Sequence, residues 1–284
     1  MKNKDLLAYC HIEKAAGTSI IHILRRLFPL SYVDARPLAR GAENFIGARD
    51  IELLTRCNPA VACVGGHSVV PYTDIVEAHR QCRFITLLRE PVARTVSHYR
   101  FWVQRMGRDH TPEEFLRHHV SRNFQVRKLA GKEDLDAAKR TIEKNFLLIG
   151  TTEEFDKFLV LLARLLDIPW SRLVYAKKNI ADHKKELALP ANFREQVAAQ
   201  NELDSELYRW VRTELGSAYE AQYGDRFEND LEEFSSLNRS ADISRSRHFL
   251  NAIYRTFYLT PVTGIVRKVN GLPYRGVYAE RYRD

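Results

Sequence analysis

Residues 6–19 read Leu6-Leu7-Ala8-Tyr9-Cys10-His11-Ile12-Glu13-Lys14-Ala15-Ala16-Gly17-Thr18-Ser19. Leu6 to Ile12 is an apolar run of strand length, interrupted by His11, and continuous rather than alternating apolarity marks a strand buried on both faces. The chain then becomes small and polar and opens a helical pattern over Thr18 to Phe28. Such a loop presents free backbone amides and the positive end of a helix dipole, which together favour an anion. Ala15, Ala16 and Gly17 let the backbone approach an oxyanion, Thr18 and Ser19 add hydroxyl donors, and Lys14 brings a mobile positive charge. The spacing is not that of the GxxxxGK[ST] nucleotide loop, because Lys14 precedes Gly17 by three positions instead of following a glycine. Taken alone, these residues allow equally a tight strand-to-helix turn in which Gly17 relieves crowding and Thr18 or Ser19 caps the helix.

Outward from this stretch the same alternation continues. Leu30–Val33, Ala60–Val64, Phe84–Leu88 and Phe146–Ile149 are further runs of strand length. Helical patterns at Asn44–Arg56, Pro91–Gln104, Glu133–Lys144 and Glu153–Leu166 supply the crossovers that parallel strands require. The expected fold is α/β, a central parallel sheet flanked by helices. Residues 191–223 read as mostly helical, with Leu203, Leu207, Trp210, Val211 and Leu215 on one face that covers the sheet.

Composition narrows the class. A chain of 284 residues with 45% hydrophobic and 28% charged residues can bury a large core and is neither disordered nor fibrous. No stretch approaches the roughly 18 apolar residues of a spanning helix. The first apolar run carries no small-residue cleavage site, so a secretory signal is not expected and a cytoplasmic location is. Cys10, Cys57, Cys63 and Cys82 form no CxxC pair and no metal spacing; they read as reduced, buried residues, with no metal expected. Forty-four basic against 36 acidic residues leave a net charge of +8, which favours acidic partners without choosing among them.

A second constellation comes after the Phe84–Leu88 strand: Arg89-Glu90-Pro91-Val92-Ala93-Arg94-Thr95-Val96-Ser97-His98-Tyr99. Arg89 lies at a strand's carboxyl end, where open α/β sheets bind ligands, and a guanidinium there can clasp a phosphate with two prongs. Pro91 suits the first turn of a helix that carries Ser97 about two turns on. For either residue alone, an Arg89 paired with Glu90 and a Ser97 facing solvent is the commoner arrangement. A third feature is Ala60-Val61-Ala62-Cys63-Val64-Gly65-Gly66-His67, a strand closed by two glycines and a histidine at that same kind of edge.

The combination HxxKxAGTS after the first strand and LRxPxxRxxSxY after a later one resembles the PAPS-dependent sulfotransferases. The resemblance is to the branch of the heparan sulfate 2-O- and 6-O-sulfotransferases and their bacterial relatives. Asn145–Asp156 and Asn201–Tyr208 are similar to later blocks of that branch, so the likeness covers residues 6 to about 222. It implies a P-loop NTPase-like sulfotransferase fold and transfer of a sulfuryl group from PAPS to a hydroxyl acceptor, a carbohydrate or glycolipid. Lys14, Ala16, Gly17, Thr18 and Ser19 would hold the 5′-phosphosulfate side of the donor, and Arg89 and Ser97 its 3′-phosphate. Arg94 would either support the donor-binding groups from behind or play a structural part. Two departures stand out: Glu13, where proline is frequent, and Glu90, where aspartate, asparagine or histidine is usual. Relatives carry a catalytic histidine in a Gly-His segment between the donor motifs, which selects His67 as the base beside Lys14 as the electrostatic catalyst. His11 and Glu13 are the competing bases.

Two other classes compete with this reading: a P-loop kinase-like phosphotransferase, disfavoured by the missing loop lysine and magnesium aspartate, and an inactive basic binding protein on the same fold. Residues 1–235 are expected to form the sulfotransferase domain and 236–284 a basic aromatic extension. The extension holds nine basic residues against three acidic ones, Asp242, Glu280 and Asp284, and interleaved aromatics. It offers either a membrane-surface or acceptor contact or, on the blander reading, a docking or homodimer contact; no nucleic acid is expected as partner.

Overall fold

Five apolar runs become the strands of one parallel sheet. They are β1 (Leu6–Cys10), β2 (Tyr32–Asp34), β3 (Cys63–Gly66), β4 (Cys82–Leu88) and β5 (Phe146–Thr151), in the order β2-β3-β1-β4-β5. The structure, a computed structural model, describes residues 5–39, 45–79, 81–175, 187, 189–240 and 249–273. β1 pairs in parallel with β3 on one side, Ala8 opposite Val64, and with β4 on the other, Ala8 opposite Phe84. A strand with two sheet neighbours and two covered faces is buried at every position, which is why β1 reads as unbroken apolarity.

The crossovers are α1 (Gly17–Leu27), α2 (Ala48–Cys57) and α3 (Ile75–Ala78). Between β4 and β5 come α4 (Pro91–Arg100), α5 (Pro112–Arg117), α6 (Phe124–Ala130) and α7 (Leu135–Asn145). After β5 come α8 (Phe155–Leu166), α9 (Phe193–Gln200), α10 (Glu202–Trp210), α11 (Gly216–Tyr223) and α12 (Phe227–Ser240). The chain ends with α13 (Phe249–Tyr254) and α14 (Thr260–Val269). π-helical turns extend α4 through Phe101–Arg105 and join α10 to α11 and α13 to α14.

Residues 1–11, 20–85 and 242–284 make one unit; residues 12–19 and 86–241 make another. The first holds β1 to β3 with the start of β4, the second the end of β4 with β5. The expected strands are all present with no end shifted by more than three residues; β1 stops at Cys10 because His11 and Ile12 already turn into the loop. Asn44 and, in the tail, Asp242, Arg245, Arg247, Tyr274, Arg275, Tyr278, Glu280, Arg281, Tyr282, Arg283 and Asp284 lie outside the described residues.

The four cysteines are buried thiols without disulfides. Burial raises the Cys63 thiol strongly and pushes Cys82 up to about 12, so both stay protonated and unreactive.

The glycine pair before His67 is explained in the first unit. A Cβ on Gly65 would stand 2.8 Å from the Tyr32 hydroxyl and 3.3 Å from the Tyr9 Cβ. Tyr32 is buried and its hydroxyl donates to Asp34 at 3.1 Å, so it cannot simply swing away. Gly66 adopts φ 141°, a conformation in which a side chain is strained. Gly65→Ala is expected to cost about 1–3 kcal/mol of stability through overpacking. Urea unfolding checks this: the midpoint should fall with the slope unchanged, and an unmoved midpoint would show that β2 yields freely.

Candidate functional site

The loop between β1 and α1 is bent by two residues in left-handed conformation, Lys14 with φ 68° and Ala16 with φ 54°. Neither is glycine, so the backbone holds them there at a cost of order 1–3 kcal/mol each, as is usual where a loop is shaped for a ligand. Ala15 donates to the Ile12 carbonyl at 3.3 Å and Ser19 to the Ala16 carbonyl at 3.0 Å, closing two successive turns. Ala15 and Gly17 are buried, Ala16 and Ser19 half-buried and Thr18 exposed, so Thr18 is the loop residue most open to solvent.

Because β4 neighbours β1 in parallel, the residue after β4 leaves beside this loop. The Arg89 guanidinium donates from Nη1 to the Lys14 carbonyl at 3.1 Å. The Arg89 backbone is fixed by a reciprocal clamp: its N–H donates to Gln125 Oε1 and its carbonyl accepts from Gln125 Nε2, both at 2.9 Å. Gln125, itself buried, opens α6, whose first amides are held by Asp204: Gln125 N–H donates to Oδ2 at 3.0 Å and Val126 N–H to Oδ1 at 2.8 Å. Asn201 adds a third hold, accepting from the Asn123 N–H at 2.9 Å and donating to the Ser121 carbonyl at 2.7 Å. Burial pushes the Asp204 carboxyl up, against Arg94 and the two amides that favour its charge.

α4 and its π-helical extension build the opposite wall. Ser97, Phe101 and Arg105 succeed one another at intervals of four along that helical run, and the Lys14 ammonium lies over the Phe101 ring, 4.4 Å from its centre. Ser97 is half-buried on the face that Phe101 shares with the loop. Burial first, then Arg89 and Arg105, hold the Lys14 ammonium below the ordinary lysine range. Lys14 is thus partly desolvated beside two further positive charges, Arg89 bonded to its carbonyl and the exposed Arg105 acting on it through space, an arrangement complementary to an anion.

Glu90 is engaged at the start of α4. Its carboxylate caps α4, accepting from Val92 N–H at 2.9 Å and Ala93 N–H at 2.7 Å. Arg94 is fully buried and donates to the Val120 carbonyl at 2.8 Å and to the Thr95 hydroxyl at 3.0 Å, a structural placement. Glu13 is buried; its charge opposes the burial and the Arg127 charge that hold His119 below the usual histidine range.

The two candidate histidines, His67 and His11, belong to the other unit. His67 comes just after the end of β3, half-buried, and its ring stacks on His11 with centroids 4.0 Å apart and planes inclined by 23°. His11 stacks in turn on Tyr9 at 5.5 Å, and its N–H donates to the Gly66 carbonyl at 3.4 Å. The parallel pairing of β1 with β3 brings the two together. Among the described residues no group of three His, Cys, Asp or Glu is placed to hold a metal ion, and no helix is long and apolar enough to cross a membrane.

A family model described as the sulfotransferase family matches residues 1–211. The chain belongs to the sulfotransferase family. No curated protein matches it. The matched region contains the whole loop, the Arg89 clamp and the Ser97–Arg105 face.

Three residues of the site carry no signal that local reading detects. Arg105 sits two helical turns beyond Ser97, and its role depends on the helix continuing as a π turn. Gln125 and Asp204 act on Arg89 across 36 residues and on α6 across 79, through backbone atoms. The Asn201–Tyr208 block was visible only as family likeness; the structure shows its work, which is to hold the α6 start.

The depressed lysine of this sulfotransferase yields a pH prediction. In the free protein Lys14 gives up its proton below the ordinary lysine range; a bound phosphate-bearing ligand favours the ammonium and raises that value. Binding of a phosphate-bearing anion at this loop, with PAP as the test ligand, should therefore take up a proton in the alkaline interval between the two, and affinity should fall as pH rises through it. Calorimetry in buffers of different ionisation enthalpy measures the uptake, which Lys14→Met should abolish; equal uptake in the variant would assign the proton elsewhere.

Proposed function

We propose that this chain transfers a sulfuryl group from PAPS to a hydroxyl of a carbohydrate or glycolipid-type acceptor in the cytoplasm, releasing PAP. We place it in the branch of the heparan sulfate 2-O- and 6-O-sulfotransferases. The observation that supports this best is the convergence of Lys14, Arg89 and Arg105 on a loop whose backbone is bent by left-handed Lys14 and Ala16. PAPS supplies the sulfuryl group and a leaving bisphosphate, and the residues present fit a ligand with anions at two points.

Sulfuryl transfer resembles phosphoryl transfer in that positioning and charge neutralisation carry most of the catalysis. Lys14 neutralises the charge that grows on the bridging oxygen as the bond to sulfur lengthens. Ala16, Gly17, Thr18 and Ser19 orient the 5′ side through amides and hydroxyls; Arg89 and Ser97 hold the 3′-phosphate. His67 receives the acceptor hydroxyl proton at an imidazole nitrogen, a contribution of about a hundred- to ten-thousandfold for a positioned base. Its ring plane is set by the stack on His11. Residues 1–235 serve as the catalytic domain in this proposal, and 236–284 as an extension that contacts a membrane surface or a second copy.

The test is ligand discrimination. PAP should raise the melting temperature of the protein strongly and magnesium ATP only weakly; equal stabilisation by ATP would point instead to a phosphotransferase. Arg89→Ala removes a charge-assisted contact worth roughly 1.5–3 kcal/mol and should weaken PAP about tenfold to a hundredfold. His67→Ala should bind PAP almost as the parent does and lose turnover, read by single-turnover transfer from labelled PAPS. Full activity in His67→Ala would move the base to His11 or Glu13.

A further inference from the structure

The last helical run is built inside out. α13, the π turn Arg255–Leu259 and α14 form one helix of 21 residues, about 30 Å long. Its inner side sets polar groups around one buried apolar residue, Leu259. Asn251 donates to the Pro29 carbonyl at 2.8 Å, Tyr258 to the Cys57 carbonyl at 2.9 Å, and Arg255 to Asp34 at 3.4 Å. Arg267, 8% exposed, donates to the carbonyls of Pro37 and Pro273. Its outer side is apolar: Leu250 is 64% exposed, Ile253 40%, Phe257 78%, Ile265 59% and Val269 80%. These five are spaced at intervals of three, four, eight and four, so they fall on one stripe.

Scattered exposed apolar residues need no explanation, but a stripe along a whole helix does. The surrounding charge says what fits it. Residues 243–279 contain six Lys and Arg and no Asp or Glu. Lys268 is exposed beside Val269, and in sequence Arg245, Arg247 and Arg275 bracket the helix. Apolar side chains on one face with basic residues beside and beyond them are the makeup of a helix that lies in an anionic lipid interface. A second copy of the same surface would set like charge against like charge. A nucleic acid would use the basic residues and leave Phe257, Ile265 and Val269 uncovered. The helix carries Arg255, Arg267 and Lys268, which suits it to lie along a bilayer and not to cross it.

We infer that the helix Phe249–Val269 is a membrane-interface anchor that seats Leu250, Ile253, Phe257, Ile265 and Val269 among the headgroups and upper acyl chains of an anionic leaflet. This gives the contact proposed for the extension its surface and its partner, and it holds whether or not the sulfuryl-transfer reading does.

The experiment is sedimentation of the full chain with vesicles of phosphatidylcholine alone or with phosphatidylserine. Binding is expected only to the mixed vesicles, with a strong loss at high salt. Phe257→Glu with Val269→Glu should reduce it at least tenfold. Ala252→Glu with Thr256→Glu changes the charge equally at exposed positions off the stripe and should reduce it much less. Equal loss in the two double variants, or no vesicle binding by the parent chain, overturns the proposal. A parent dimer that Phe257→Glu with Val269→Glu disperses, with no vesicle binding, overturns it in favour of self-association. Phe257→Trp keeps the stripe apolar and tests insertion even where the charged variants fold poorly: its added fluorescence should be quenched by brominated lipid, and unquenched emission on bound protein overturns insertion.

Discussion

Lys14, Arg89 and Arg105 repel one another, and the chain holds them together before any anion arrives. Their mutual repulsion and partial burial are legible in the lowered Lys14. What opposes it is a chain of contacts: Asn201 and Asp204 hold residues 121–126, Gln125 holds the Arg89 backbone, and the Arg89 guanidinium reaches the Lys14 carbonyl. In the proposed site such an organisation lets an anion bind without reordering, so that the free energy of folding carries a cost that binding would otherwise bear. The left-handed Lys14 and Ala16 are part of the same stored strain. Removing any one member of the chain leaves buried polar atoms unmatched as well as loosening Arg89, because each is both a positioning group and a satisfied hydrogen-bond partner.

β1 has parallel neighbours on both sides, and each constellation is built from a residue that follows one of those neighbours. From β3 comes His67 against His11; from β4 comes Arg89 against the Lys14 carbonyl. The departures from the family pattern fit this frame. Glu90 is long enough to cap two amides of α4 at once, so a glutamate there performs the helix-capping work of a shorter acid. Glu13 sits buried with its charge acting on His119, which gives its carboxylate an electrostatic partner within its own unit.

The strands were legible because burial on both faces leaves an unbroken apolar signal, and the loop and Arg89 because strand ends in parallel sheets are where ligand chemistry collects. Local pattern cannot show Gln125 or Asp204: a glutamine that clamps a backbone 36 residues away has the same local sequence as one in solvent. Arg105 was hidden for a different reason, since the π turn that carries it has no sequence signature. The tail was readable as basic and aromatic but not as a helix with a side. Its docking contacts, Tyr258 to Cys57 and Asn251 to Pro29, depend on carbonyls more than 200 residues earlier.

The inverted helix owes its orientation to the surface beneath it. That surface offers the carbonyls of Pro29, Pro37 and Cys57 and the carboxylate of Asp34, all of them acceptors. The Cys57 carbonyl closes α2 and has no successor in that helix to pair with. An apolar helix face laid on such a surface would bury these acceptors without donors, at a cost of about 1–3 kcal/mol for each. Asn251, Arg255, Tyr258 and Arg267 supply the donors, and the periodicity of the helix then turns Leu250, Phe257, Ile265 and Val269 outward. Hydrogen-bond satisfaction within the fold, together with the burial of Leu259, therefore sets the orientation, and the outward stripe is a consequence that solvent alone leaves unfavourable. A cover that is apolar near the helix and negative beside it removes that cost without disturbing a single inner contact, which is the physical case for a lipid interface over a rearrangement of the helix itself.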